Sequence, residues 1–250
     1  MTDKPLFKAE HLHKRFGDQV VLEDISLSFN AGSVGGIMGP NGAGKSTCFN
    51  VLTGMYKPDG GRIEFDGRDI TGMAPEKIAQ MGISRSFQIM NLFDEYTALE
   101  NIMVASPRTR GRLMRPFWDV RGDSEVSESA ADILELVDLK GREHTLASEL
   151  PYGERRALEI GVALAARPRI VFLDEPTQGL GINGRKKLAE LIQSLKQQFT
   201  LVIIEHDMQF LFGLADHISV IHWGQVIAEG TPKSLMTNEW VRASDLGKVA

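Results

Sequence analysis

Apolar and polar positions change period several times along the chain, and the changes outline a mixed architecture. Leu6–Phe29 reads as two short strands around the loop RFGDQVV, with LEDISLSF alternating as a half-buried strand does. Ser33–Met38 (SVGGIM) is a short, mostly apolar run, the pattern of a buried strand. A Gly-rich stretch follows, then CFNVLTGM, whose apolar residues fall at helical spacing. KPDGG is a turn and RIEFDG alternates again. Met73–Met81 predicts a short helix with Pro75 in its first turn, and ISRSFQ an extended segment.

The second half has a βα rhythm. ESAADILELVDL, from Glu128, and GERRALEIGVALAA read as helices, the second with Leu158, Val162 and Ala165 on one stripe and Pro168 as its stop. RIVFLDEP and LVIIEHD read as buried strands, each followed by a helix (GRKKLAELIQSLKQQ, QFLFGLADH). HISVIHW and QVIAEG close the pattern as two alternating strands around a Gly turn. The rhythm predicts an α/β fold: a mainly parallel sheet with helices on both faces. The N-terminal strands would form a separate antiparallel layer. No internal repeat is visible, so the chain carries one such unit.

Composition narrows the class. At 250 residues, 42% hydrophobic and 24% charged, the chain has the make-up of an ordinary soluble globular protein. Its core needs no disulfide or structural metal. The single cysteine, Cys48, has no partner in the chain, which suggests a reducing compartment and a packing role. A net charge of −5 speaks against a general nucleic-acid binder. No apolar run is long enough to span a bilayer, and MTDKPLFKAEHL lacks the apolar stretch of a secretory signal. A cytoplasmic protein is expected, with any membrane association coming through a partner. Residues 105–130 stand apart: Arg108, Arg110, Arg112, Arg115 and Arg121 mix with Pro107, Pro116, Phe117 and Trp118 without a clean period. The stretch is a loop or irregular helical insertion. It is either a solvated excursion or a docking surface for an acidic partner or lipid headgroups.

The Gly-rich stretch carries the candidate chemistry. GPNGAGKST, residues 39–47, fits the phosphate-loop pattern with Gly39, Gly44, Lys45 and Ser46 in register. A triphosphate tail is a dense anion that needs close backbone N–H groups. Gly42 and Gly44 leave that access open. Lys45 offers a point charge to the β- and γ-phosphates, Ser46 a hydroxyl to Mg²⁺, and the following helix its positive end. Four apolar residues, Ile170–Leu173, then deliver Asp174 and Glu175 to a strand's C-terminal end, where ligands bind in open α/β sheets. Asp174 suits Mg²⁺ and Glu175 suits the base that positions the attacking water. Glu205, His206 and Asp207 emerge at the end of LVII in the same way, with His206 placed to contact the γ-phosphate and orient the water. Gln88, in SFQ, is a neutral amide able to reach both Mg²⁺ and water.

GPNGAGKST, SFQ, LPYGERR, VFLDEPTQGL and IIEHD occur in the order of an ABC-transporter ATPase subunit, and the resemblance covers essentially the whole chain. FNVLTGMYKPDGGRI, ARPRIVFLDEP, IIEHDM and YGERRALEI resemble most closely the ATP-binding proteins of branched-chain amino-acid importers. The resemblance implies a phosphate-loop NTPase core, about 1–88 and 165–250, and a helical signature subdomain, about 89–164. It implies that Phe16 stacks on adenine beside Val21, and that Asn41, Gly42, Ala43, Gly44, Lys45, Ser46 and Thr47 cradle phosphate. It further implies Mg²⁺ contacts from Ser46, Gln88 and Asp174, catalysis by Glu175 and a switch role for His206. Gly153 would reach ATP from the opposite subunit, and membrane subunits would dock near Gln88–Phe93. A second ATPase subunit, the same or a paralogue, and indirectly a periplasmic solute-binding protein would be partners.

Two departures from the family pattern stand out. The usual LSGGQ reads LPYGE here, so Pro151 replaces a serine that would reach the γ-phosphate. Gly181 stands where Asp or Asn is usual in a loop that couples the two subunits. Both bear on hydrolysis rate. The ATPase subunit of a lipid or lipopolysaccharide exporter, a non-transport ABC ATPase and a regulator that never hydrolyses ATP stay open as alternatives. Non-transport relatives usually carry two ATPase units or a long coiled coil, which this chain lacks.

Overall fold

The computed structural model describes residues 4–86, 92–110, 122–239 and 241. Its elements in chain order are β1 (Phe7–Phe16), β2 (Gln19–Phe29), β3 (Val34–Met38), α1 (Lys45–Leu52), β4 (Gly60–Phe65), β5 (Arg68–Asp69), α2 (Pro75–Gln80) and β6 (Ile83–Arg85). Then come α3 (Ala98–Ala105), α4 (Pro107–Arg110), α5 (Ser124–Leu136), α6 (Tyr152–Leu164), β7 (Ile170–Asp174), α7 (Ile182–Leu195) and β8 (Thr200–Glu205). The chain ends in α8 (Met208–Leu214), β9 (His217–His222), β10 (Gln225–Gly230) and α9 (Pro232–Leu235).

The strands form one sheet in the order β5-β4-β1-β2-β10-β9-β3-β8-β7-β6. From β9 to β6 the pairings are all parallel. The β1, β2, β4 and β5 pairings are antiparallel. The two halves meet where β10 pairs with β2 at one register position, Gln225 opposite Asp24. The expected antiparallel layer is present, and it joins the main sheet at that single pairing. It also turns its apolar face onto β7, where Phe7 and Phe29 meet Phe172 at 5.3 and 6.3 Å between ring centroids. Phe49 of α1 reaches the same ring at 6.2 Å, so α1 lies between the two parts of the sheet.

Period-two alternation explains the two cores. Ile170 and Phe172 of β7, with Val202 and Ile204 of β8, face α1 and the antiparallel strands. Val171 and Leu173, with Leu201 and Ile203, face the helices α3, α5, α6, α7 and α8. Burial on both faces is why these strands read as unbroken apolar runs. β9 is corrected on the same ground. It reads as alternating, but Ile218–Ile221 are all buried, Ser219 included.

Other boundaries shift for local reasons. β1 and β2 are long, ten and eleven residues, and only Gly17 and Asp18 turn between them. Arg15 and Phe16 pair with Val20 and Gln19, although their exposure gives them a loop-like composition. α5 starts four residues before Glu128, because Asp123 caps it by accepting from the Val126 N–H. α3 has no counterpart in the periodicity of the sequence. Its signal is a capping box, Thr97 and Glu100, ahead of an apolar run. The Arg-rich stretch is described only in part: α4 precedes 111–121, which lie outside the described residues. Cys48 is buried and its thiol is pushed up to about 12 by burial, in keeping with packing.

Candidate nucleotide site

β3, β8 and β7 are adjacent and parallel, so their C-terminal ends open on one rim. The loop 39–44 leaves β3 there and enters α1. Gly44 caps that helix at φ 99°, and a Cβ on it would lie 2.9 Å from the Val21 carbonyl oxygen. A Cβ on Gly39 would lie 2.2 Å from the Ile221 oxygen. These two glycines are required by packing behind the loop, whereas Gly42 faces open space. The loop is braced by the turn between β9 and β10, where the Gly224 N–H donates to the Ala43 oxygen at 3.1 Å.

Lys45 is buried and folds back on the loop. Its ammonium donates to the Gly39 and Pro40 oxygens, both at 2.9 Å. Burial lowers its pKa, and the nearby carboxylates of Glu175, Asp174 and Glu205 only oppose that. Asn41, Gly42 and Ser46 are exposed, and Thr47 is half-buried beside them.

Asp174 ends β7 and is buried. Its carboxyl is pushed up to about 6, first by burial and then by the neighbouring Glu175. Glu175 has φ 44°, a left-handed backbone uncommon for a non-glycine residue. Its N–H donates to the Ile204 oxygen at 2.9 Å, which ties the end of β7 to β8. Its Oε1 lies 3.6 Å from the Nδ1 of half-exposed His206, a contact too long to be a hydrogen bond.

The sequence places Glu205 at the end of its strand without a role, yet it organises this rim. It is fully buried. Its Oε1 accepts from the Thr177 N–H at 2.8 Å and the Thr177 hydroxyl at 2.6 Å. Its Oε2 meets no hydrogen-bond donor among the described residues. An acidic residue closing an apolar strand, just before His206, is the only signal the sequence offers for it. Asp207 has a structural place instead: it caps α8 through the Phe210 N–H and pairs with Arg185 at 2.6 Å.

The remaining expected residues distribute as follows. Val21 lies against Gly44. Phe16, exposed at the same turn end of the β1–β2 hairpin as Val21, meets Tyr56 edge-on at 5.4 Å. Gly153 sits in the first turn of α6, capped by Pro151 without a side-chain hydrogen bond. A Cβ there would meet only Leu180, at 4.0 Å. Gln88 and residues 89–91 lie outside the described residues, while Phe93 is exposed and stacked near Tyr96 at 5.1 Å.

Seen as chemistry, the rim is a glycine cradle at a helix N-terminus, the Lys45 cation and three carboxylates, two of them fully or almost fully buried, with Arg85 in electrostatic reach of Asp174. The model for the family described as "ABC transporter" matches residues 22–178. The chain belongs to the ABC transporter family. It is 39% identical to the high-affinity branched-chain amino acid transport ATP-binding protein BraF of Pseudomonas aeruginosa, over 98% of this chain and 99% of that protein. It is 38% identical to the corresponding protein LivG of Escherichia coli K12 over the same shares. A solved ADP conformation of MJ1267, an ATP-binding cassette of an ABC transporter, superposes with a TM-score of 0.86 at 33% identity, covering 95% of this chain and 97% of that one. Membership makes the chain a nucleotide-binding ATPase by family. The mixed sheet and the N-terminal antiparallel strands are those of this fold.

The donor set also fits a hard divalent cation shared with phosphate. Ser46 and Asp174 offer oxygen. Among the described residues no cluster of three or more His, Cys, Asp or Glu is arranged to hold a metal by protein ligands alone. No helix among them is long and apolar enough to cross a membrane.

Proposed function

We propose that the chain is the ATP-binding and ATP-hydrolysing subunit of an importer for branched-chain or related amino acids. The observation that carries the chemistry is the convergence of Lys45, Asp174, Glu175 and His206 on the ends of three adjacent parallel strands. The likeness to BraF and LivG along nearly their full length supports import.

In this reading the N–H groups of residues 41–47 bind the phosphates, and Lys45 leaves its carbonyl partners to meet them. Phe16 and Val21 hold the adenine. Ser46, Asp174 and Gln88 would hold Mg²⁺, which when bound neutralises charge on the phosphates. Glu175 polarises a water toward the γ-phosphorus and takes its proton as the bond to the ADP oxygen breaks. His206, at contact distance from Glu175, orients that water. Residues 89–164 act as a helical subdomain whose signature turn, with Gly153, meets ATP held by a second copy or a paralogue. Membrane subunits dock near Gln88–Phe93, a periplasmic solute-binding protein delivers cargo, and the chain works peripherally at the cytoplasmic face. It needs no nucleic acid.

Phosphate release and nucleotide binding test the core of this. Wild type hydrolyses Mg-ATP; Glu175→Gln retains Mg-ATP binding and loses turnover by about 10²-fold or more. Normal turnover in Glu175→Gln removes Glu175 as the base. Uptake of leucine by vesicles holding the chain with its membrane subunits separates import from lipid export.

A further inference from the structure

Where the family pattern has the first glycine of LSGGQ, this chain carries Tyr152, and the structure gives its ring a seat. The Tyr152 hydroxyl donates to the Gln178 oxygen at 2.9 Å, across the gap between α6 and the loop that follows Glu175. Gly179 faces the ring at φ 77°. A Cβ there would lie 2.6 Å from the Tyr152 oxygen and 2.9 Å from Cζ, so only glycine admits the phenol. Arg156, one turn on, donates to the same oxygen at 3.4 Å and lies 5.7 Å from the ring centroid. Arg156 is itself fixed by a buried 2.7 Å pair with Glu159.

The same loop is held from the opposite side. Thr177, next to Gln178, gives both its N–H and its hydroxyl to buried Glu205 at the end of β8. Between these two anchors the loop runs from Glu175 to Leu180, with the Gln178 N–H returning to the Glu175 oxygen at 3.1 Å. One chain of contacts therefore joins the signature helix to the strand ends that carry Glu175 and His206.

The geometry points to Tyr152 as a positioning residue, which holds loop 177–180 and through it sets Glu175 from the signature helix of the same subunit. This rests on the catalytic reading of Glu175 above. The role needs two residues together: a ring stands in the place of a glycine of LSGGQ, and a glycine on the facing loop receives it.

Tyr152→Phe keeps the ring and deletes the hydrogen bond; Tyr152→Ala deletes both. Two readouts separate the clamp from its use in catalysis. In nucleotide-free protein, amide hydrogen exchange of the segment 177–180 should quicken about five-fold in Tyr152→Phe and further in Tyr152→Ala, the loss of roughly one neutral hydrogen bond. In Mg-ATP turnover, kcat of Tyr152→Phe should fall about three- to ten-fold while the Kd for Mg-ATP stays within about two-fold. Unchanged exchange, or unchanged kcat, in Tyr152→Phe overturns the proposal. So does a fall in melting temperature beyond about 5 °C with weakened nucleotide binding, which would make Tyr152 a folding residue. If wild type neither binds nor hydrolyses Mg-ATP, the nucleotide reading fails, and the exchange arm still decides whether the clamp exists.

Discussion

Two clusters of buried charge, one at the strand ends and one on the signature helix, resolve their electrostatics in opposite ways. On α6, Arg156 and Glu159 are almost fully buried and paired within one helix at 2.7 Å. Burial works against the Arg156 charge, but the Glu159 hydrogen bond and charge outweigh it and hold its pKa above the usual value. At the strand ends the balance is reversed. Burial wins at Lys45 and lowers its pKa in spite of three carboxylates. Burial and Glu175 together push Asp174 up to about 6, and Glu205 keeps a buried oxygen without a hydrogen bond among the described residues. The helix pair keeps its charge against burial, although Arg156 Nε, like Glu205 Oε2, has no hydrogen-bond partner among the described residues. The strand-end group is incomplete, and a polyanion carrying a divalent cation supplies both signs of charge it lacks. Incomplete compensation marks the ligand site more clearly than the presence of charge does.

The largest expected effect removes the phosphate-loop cation from the incomplete cluster. Lys45→Ala should lose Mg-ATP turnover by about 10²-fold or more, with binding weakened in parallel, as read by phosphate release and a fluorescent nucleotide analogue. Retained binding would mean that the cluster is not completed through Lys45. The next acts on the helix pair. Glu159→Gln strands a buried guanidinium and should cost about 3 kcal/mol of stability in urea unfolding. A loss well under 1 kcal/mol would show that the pair is more hydrated than its burial indicates.

The smallest effect is a dependence on pH. Asp174 in the nucleotide-free fold has a pKa near 6, above its ordinary 3.8. Its contribution to stability is thus present in full below about pH 4 and is lost as pH rises through about 6. The loss is of order 3 kcal/mol at most. Asp174→Asn should therefore melt higher than wild type at pH 8 and alike at pH 4, while losing turnover at both. Equal gaps at the two pH values would remove the buried, proton-binding carboxylate from the account.

Comparison of sequence with structure follows the same division. The buried parallel strands were legible because burial on both faces leaves nothing but apolar residues, as in Ile170–Leu173 and Leu201–Ile204. The charged groups that follow them were legible by position. The helical side was less so. α3 and the true start of α5 depend on capping groups, Thr97 with Glu100 and Asp123, in stretches whose polar composition resembles a loop. Three features of the rim depend on contacts between residues far apart in sequence. Glu205 needs Thr177, 28 positions away, and Tyr152 needs Gln178, 26 positions away. The join of the two parts of the sheet rests on Gln225 and Asp24. No local pattern carries such pairings.

The central claim is that the strand-end cluster is a charge site awaiting Mg-ATP. Calorimetric titration of Mg-ATP into the folded wild-type chain tests it most directly. The account predicts saturable binding of one nucleotide per chain, and its loss in Lys45→Ala. A correctly folded wild-type chain that shows no binding at millimolar Mg-ATP would contradict it.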